Sequence, residues 1–219
     1  MQKNWTNTVP TTFDRDAALR MNEIAMTVFA PIYPVIAQNA LTVTNICQGV
    51  CLDLGSGSAM LAMAVARKAP QMRVIAFDFS PHSMQIAMDN IDAARLKDRV
   101  RCETGDVHAL PFADGSINLI VSRGSMFFWD DLENTFREIY RVLAPEGATY
   151  IGGGFGSADM REQVIAEMLK RDPAWDCYAR KKTGEDDLRR FESLFQRIGC
   201  TTHQIINDAT GFWIVLSKS

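Results

Sequence analysis

Three acids stand where a ligand could use them. Asp53 closes the apolar run Val50-Cys51-Leu52 and is followed at once by Leu54-Gly55-Ser56-Gly57. Asp78 closes a second apolar run, and Asp106 sits in Gly105-Asp106-Val107 after a third. An ionised carboxylate only accepts hydrogen bonds, so three of them converging suit a ligand rich in hydroxyls and amines, or a cation. Gly55 and Gly57 let such a ligand lie against the backbone, because no Cβ intervenes and a positive φ is cheap for glycine. Phosphate chemistry fits poorly. The Walker pattern needs Gly-Lys-Ser/Thr, and 55–62 contains no lysine. The dinucleotide fingerprint needs a third glycine where Met60 stands, and Asp53 would face the pyrophosphate. Singly, each acid is as readily a turn residue or a helix cap. Together, at the ends of three successive strands, they read as one site.

Those acids need strands that end side by side. Apolar runs predict strands over 50–54, 73–77, 100–104, 117–122 and 148–152. Between them lie a helix over 58–69 stopped by Pro70 and a helix capped by Ser80 with Pro81 at its first position. Met84, Ala87, Met88 and Ile91 form that second helix's inner face. A further helix starts after Asp130 or Asp131, with Leu132, Phe136, Ile139 and Leu143 on one side and Pro145 and Gly147 ending it. Strands alternating with helices imply right-handed crossovers and a parallel sheet covered on both faces. Helices over 160–170 and 186–198, the latter stopped by Gly199, lead to strands 202–206 and 212–216, close enough to make an antiparallel hairpin. Ahead of the first strand, 1–13 is a patternless arm. Ala17, Met21, Ile24 and Val28 repeat at helical spacing, and a second helix covers 35–41 after Pro31 and Pro34. The fold class is α/β: Rossmann-like, doubly wound, a mostly parallel seven-stranded sheet with an antiparallel last strand. The chain reads as one domain over 1–219: an N-terminal helical lid (1–44), a ligand-binding core (45–155), a helical insertion that sets specificity (156–200) and a closing hairpin (201–219).

The net charge of −3 and pI of about 5.6 argue against nucleic-acid or membrane partners held by bulk charge. Five cysteines without a CxxC pair suit reduced thiols in the cytoplasm, with Cys47 and Cys51 both in the core. No N-terminal apolar region marks a signal peptide, and no run reaches the roughly 20 apolar residues of a membrane span, so a soluble protein is expected. His82, His108 and His203 are scattered, and no metal-ligand spacing is present.

Asp53-Leu54-Gly55-Ser56-Gly57, Asp78-Phe79-Ser80, Gly105-Asp106-Val107 and the segment from Arg137 to Gly147 occur in an order that resembles the class I S-adenosylmethionine-dependent methyltransferases, over about residues 48–155. The resemblance implies S-adenosyl-L-methionine as cofactor and no metal. By it, Gly55, Ser56 and Gly57 cradle the methionine part, Asp53 lies near its amino group and Ser122 offers that group a carbonyl. Asp78 accepts both ribose hydroxyls, Phe79 lies beside the adenine, and Asp106 and the Val107 N–H meet its edge. One departure stands out: Ala59 occupies a position where a third glycine is usual. The implied activity is methyl transfer to a small molecule. Ser122-Arg123-Gly124-Ser125 replaces the Asn/Asp-Pro-Pro-aromatic motif typical of nucleic-acid amino methyltransferases.

Several points stay open at this level. No residue identifies itself as a catalytic base. Tyr33, Arg123, Phe128 and Trp129 are candidates for the substrate pocket, while Phe127, Phe128 and Trp129 equally suit a core position. The glycines of 152–156 either admit a substrate or form a loose crossover. A monomer or a homodimer is expected. A non-methylating binder or user of the same cofactor is the alternative. A nicotinamide-dependent oxidoreductase is a further one, disfavoured by Asp53, Met60 and the closing hairpin.

Overall fold

Along each strand, successive side chains point to opposite faces, and this alternation decides which groups reach the cleft. The computed structural model describes residues 14–173, 175 and 185–218; the expected arm at 1–13 and Cys177 lie outside the described residues. The elements are α1 (Arg15–Thr27), α2 (Ile32–Thr44), β1 (Gln48–Leu54), α3 (Met60–Lys68), β2 (Gln71–Asp78), α4 (Pro81–Ala93), β3 (Val100–Thr104) and β4 (Ile117–Arg123). They continue with a 3-10 turn (Met126–Phe128), α5 (Leu132–Val142), β5 (Leu143–Gly154), α6 (Ala158–Arg171), α7 (Glu185–Arg197), β6 (Thr202–Asp208) and β7 (Gly211–Ser217). One sheet runs β3-β2-β1-β4-β5-β7-β6. It is parallel from β3 through β5, and β7 is antiparallel to both its neighbours. This is the expected doubly wound sheet, with the strand order reversing between β1 and β4.

Cys51, Val74, Ala76, Leu119 and Val121 pack on one face with α1 to α4 and α6. Leu52, Leu54, Ile75, Phe77 and Ile120 pack on the other with α5 and α7. Two residues beyond Cys51, Ala76 and Val121 come Asp53, Asp78 and Arg123, so all three fall on the α1–α4 side at the carboxyl ends of their strands. Ser122 falls on the opposite side. α3 is buried almost all round, from Leu61 to Ala66, because it is sandwiched between the sheet and the fully buried Ile36, Ala37 and Ala40 of α2. Its alanines allow that close approach.

Helix ends follow the chemistry of their caps. Ser80 Oγ accepts from the Ser83 N–H, with Pro81 opening α4 as expected. Asp14 caps α1 through the Ala17 N–H. α2 is longer than expected, because Pro34 sits in its first turn, where a missing N–H costs no intrahelical bond. α1 and α2 meet at 78°. The buried face of α1 is Ala18 and Ala25, continued by Val28 just after its end, and Met21 is left exposed at the cleft mouth. Met88 is also exposed, since Met84, Ala87 and Ile91 already fill the inner face of α4. Among the described residues no single helix is long and apolar enough to cross a membrane.

Three other expectations are corrected. α5 stops at Val142, and Pro145 and Gly147 lie inside β5. There the register jumps from Ile117↔Leu143 to Leu119↔Ala148 and Glu146 takes a φ of 61°, a bulge that leaves the proline without a ladder bond to lose. The glycines at 152–154 are neither open nor loose. A Cβ on Gly152 would run into the Phe212 carbonyl, and one on Gly154 into the Thr210 carbonyl, so they let β7 lie close. Cys47 is exposed rather than core. Among the described residues, none of 156–200 is part of the cleft lining. α6 and α7 cover opposite faces of the sheet instead, through Val164 and Met168 on one and Phe191, Leu194 and Phe195 on the other.

Candidate functional site

A cleft of about 830 Å³ opens where the strand order reverses between β1 and β4, the usual ligand position in such sheets. Its floor is the β1–α3 turn. Gly55 and Ser56 donate their N–H groups to Phe77 O at 2.8 and 3.1 Å, which holds the turn over β2. Gly55, Gly57 and Ala59 all take left-handed φ values, 64°, 54° and 64°. A Cβ on Gly55 would collide with Ser125, whereas one on Gly57 would meet nothing within 4 Å, so Gly57 bares its backbone to the cleft. Ala59 is strained where glycine would not be, but its methyl is fully buried, and the two effects, each about 1 kcal/mol, oppose.

Asp53 is buried, with Oδ2 accepting from the Ala62 N–H at 2.9 Å. Burial pushes its carboxyl well above the usual range; the Ala62 bond opposes this and nearby Asp78 adds to it. The folded state therefore prefers the neutral acid. That contribution to stability is full below the unfolded carboxylate pKa of about 4 and is lost as pH rises through the raised folded value. Asp53→Asn should accordingly raise the melting temperature of the ligand-free protein at neutral pH, by roughly 3 °C if the relief is about 1 kcal/mol. The gain should fade as pH falls towards 4. A thermal melt series across pH checks this, and a variant less stable than wild type at neutral pH would contradict it.

Asp78, at the end of β2, accepts from Gly57 N–H through Oδ2 and from Ser80 N–H through Oδ1, both at 2.9 Å. Its pKa is raised by burial, against those backbone bonds. With the Ser80, Gly57 and Phe79 N–H groups fixing it at the cleft wall, the carboxylate presents an acceptor edge of the kind a diol needs. Phe79 beside it is 56% exposed and lines the cleft.

At the far end Asp106 Oδ1 takes both the His108 N–H (2.9 Å) and His108 Nδ1 (2.6 Å). These hydrogen bonds, the backbone one first, hold its carboxyl below the usual range. His108 Nε2 accepts from the Asp131 N–H at 3.4 Å and lies 3.6 Å from the Asp130 carboxylate. The imidazole thus ties the β3 end to the start of α5. The Asp106-x-His108 spacing was the sequence signal for this contact.

The remaining wall comes from α1, α2 and the β4–α5 connection. Phe29 and Tyr33 face Arg123, whose guanidinium lies 4.4 Å over the Phe29 ring and whose Nε donates to Gly154 O at 3.2 Å. Burial pushes the Tyr33 phenol up, Arg123 draws it back and Asp53 adds to the rise. Phe128 is partly exposed in the cleft. Trp129 lines it too while packing edge-on against Phe136 at 6.2 Å. Of the residues singled out from sequence, Tyr33, Asp53, Gly55, Ser56, Gly57, Asp78, Phe79, Asp106, Val107, Arg123, Phe128 and Trp129 line one cleft. The Ser122 side chain does not: it is fully buried on the opposite face, its Oγ 2.7 Å from Ser125 Oγ, which does not bear on the carbonyl that the resemblance assigns a role. Ser125, at the end of the same Ser122–Ser125 segment, lines the cleft and donates to Leu54 O at 2.9 Å.

The donor and acceptor set fits a nucleoside with an amino-acid tail. Asp78 suits a ribose diol, the Gly57 backbone lies open beside it, and Ser56 Oγ is buried without a hydrogen-bond partner among the described residues. A family profile described as a methyltransferase domain matches residues 51–147. A solved structure from Methanococcus maripaludis, provisionally assigned as an S-adenosyl-L-methionine-dependent methyltransferase, superposes with a TM-score of 0.90 at 43% identity, covering 98% of this chain and 97% of that one. The malonyl-[acyl-carrier protein] O-methyltransferase of Halorhodospira halophila is 34% identical over 111 residues, 51% of this chain and 36% of that protein. The demethylmenaquinone methyltransferase of Thermus thermophilus is 36% identical over 96 residues, 44% of this chain and 43% of that protein. The chain thus spans about two fifths of the length of these curated relatives.

Proposed function

Because the chain belongs to the class I S-adenosylmethionine-dependent methyltransferases, we propose that it transfers a methyl group from that cofactor to a small molecule. The observation that carries the reading is Asp78, a carboxylate fixed by two backbone N–H groups at 2.9 Å between the glycine turn and Asp106. In this reading Asp78 holds the ribose, Asp106 and Val107 the adenine edge, and Gly55, Ser56 and Gly57 the methionine part. Asp53 sits beneath the amino group. Bound there, S-adenosylmethionine supplies a methyl activated by a sulfonium centre. The chain's own work is placement: holding the acceptor in line and keeping water out yields much of the rate of such a displacement. Phe29, Tyr33 and Phe128 are positioned to narrow the cleft for that purpose. No side chain is assigned as a base.

A small acceptor is supported by the partial roof that α1 and α2 form and by a cleft lining with one arginine and no lysine among the described residues. The relatives' names point to unlike acceptors, malonyl-[acyl-carrier protein] and demethylmenaquinone, so no single one transfers to this chain. A cytoplasmic setting belongs to the same reading and rests on the cysteine pattern. Thermal-shift measurements test it: S-adenosylmethionine and S-adenosylhomocysteine should raise the melting temperature, and NADH should not. Stabilisation by NADH alone would overturn the reading. Binding without formation of S-adenosylhomocysteine across a broad metabolite panel would favour the non-methylating alternative.

A further inference from the structure

Two tyrosines, Tyr33 and Tyr150, are buried on the α1–α4 side of the sheet, and they differ in one respect. Tyr150, stacked on Trp213, hydrogen-bonds with the side chains of Thr210 and Asn39. Tyr33 makes no hydrogen bond among the described residues; what acts on its phenol is burial and the charges of Arg123 and Asp53. A buried phenol hydroxyl normally has a partner, because going without one forfeits the bonds it made to water. Tyr33 lines the cleft, so a ligand there is the partner within its reach.

The backbone around Tyr33 fixes its placement. It stands in the first turn of α2, just after a turn closed by the Ile32 N–H donating to Phe29 O at 3.0 Å. From there α2 packs on α3 through Ile36, Ala37 and Ala40, all fully buried, so the side chain projects from a rigid element. The charged groups that act on it, Asp53 and Arg123, come from the adjacent ends of β1 and β4. In the reading above, Asp53 marks the methionine end of the cofactor, where the reacting methyl lies, and Asp106 marks the adenine end. Ala25, Phe29, Leu61 and Phe128 line the same cleft with apolar surface. Burial raises the phenol's pKa, with Arg123 opposing and Asp53 adding, so the hydroxyl keeps its proton at neutral pH and can donate.

We propose that the Tyr33 hydroxyl donates a hydrogen bond to the methyl acceptor, a largely apolar molecule carrying an oxygen or nitrogen at or beside the atom that is methylated, and thereby sets its angle to the methyl. The proposal rests on the assignment of the Asp53 end of the cleft to the methionine part of S-adenosylmethionine. Tyr33 forms no covalent bond in it; its contribution is orientation, which counts for much in an in-line displacement. The cofactor's own amino-acid part also accepts hydrogen bonds, so the test must separate the two partners.

Calorimetry on the full chain saturated with S-adenosylhomocysteine does so, using acetophenone against α-methylstyrene, anisole against ethylbenzene, and pyridine against benzene. The first of each pair accepts a hydrogen bond; the second has nearly the same shape and does not. For at least one pair, the ratio of the two affinities should fall about threefold or more from wild type to Tyr33→Phe. A smaller change in every pair, or no binding by any accepting probe, overturns the proposal. It is equally overturned if Tyr33→Phe weakens S-adenosylhomocysteine but not methylthioadenosine, which lacks the amino-acid part, since the hydroxyl would then serve the cofactor. Melting separates a structural role: Tyr33→Phe should stay within about 2 °C of wild type, while Tyr150→Phe, losing its bonds to Thr210 and Asn39, should fall by roughly 4 °C. An equal fall in Tyr33→Phe would mean that the hydroxyl supports the fold, and overturns the proposal. Failure of the wild-type protein to bind S-adenosylhomocysteine at all would instead strike the cofactor assignment.

Discussion

Asp78→Ala is expected to raise the dissociation constant for S-adenosylhomocysteine about a hundredfold while leaving the protein folded. Each hydrogen bond from a ribose hydroxyl to a carboxylate contributes about 1.5 kcal/mol at the low end for a charged acceptor, and two amount to about 3 kcal/mol, close to two decades in affinity. The fold should survive because two opposed effects nearly cancel. The substitution leaves the Gly57 and Ser80 N–H groups without their acceptor, but it also removes a carboxylate whose burial is unfavourable enough to raise its pKa. Calorimetry on the variant, with circular dichroism as the check on folding, decides the matter. A dissociation constant within threefold of wild type would remove Asp78 from the ribose contact.

Gly152→Ala should lower the melting temperature by roughly 6–12 °C, the range for a loss of about 3 kcal/mol in a chain of this size. One added methyl is felt so strongly because of what it meets. Its position falls on the Phe212 carbonyl, and Trp213 Cα lies 3.0 Å away. These are backbone atoms of a paired strand and cannot rotate aside, so β5 and β7 must separate or bulge. Trp213, fully buried and stacked 4.4 Å from Tyr150, would move with them. A melting temperature within about 2 °C of wild type would show that the strands accommodate the group and that the close approach is not the reason for glycine.

The same glycines mark where sequence reasoning stopped. Local chemistry was legible: the residues that begin α4, the limits of β3, the alternation of strands and helices, and the three acids at strand ends all follow from patterns within a few residues. Gly152 and Gly154 depend on which strand lies beside them, and β7 comes some sixty residues later. Pro145 and Gly147 were read as ending a helix, but they bulge a strand, and that outcome depends on pairing with β4. For the site, period-two alternation explains why the Arg123 side chain, on the face of Val121, lines the cleft and the Ser122 side chain does not. The assembly of Tyr33 and Phe29 over Arg123 could not be read that way. It depends on the 78° bend between α1 and α2.

The most direct test of the account is a crystal structure with S-adenosylhomocysteine bound. Both ribose hydroxyls should lie within hydrogen-bonding distance of the Asp78 carboxylate, with the adenine edge at Asp106 and Val107 and the homocysteine part along Gly55 to Gly57. A ribose placed away from Asp78, or an adenosine seated beside Arg123, would contradict it.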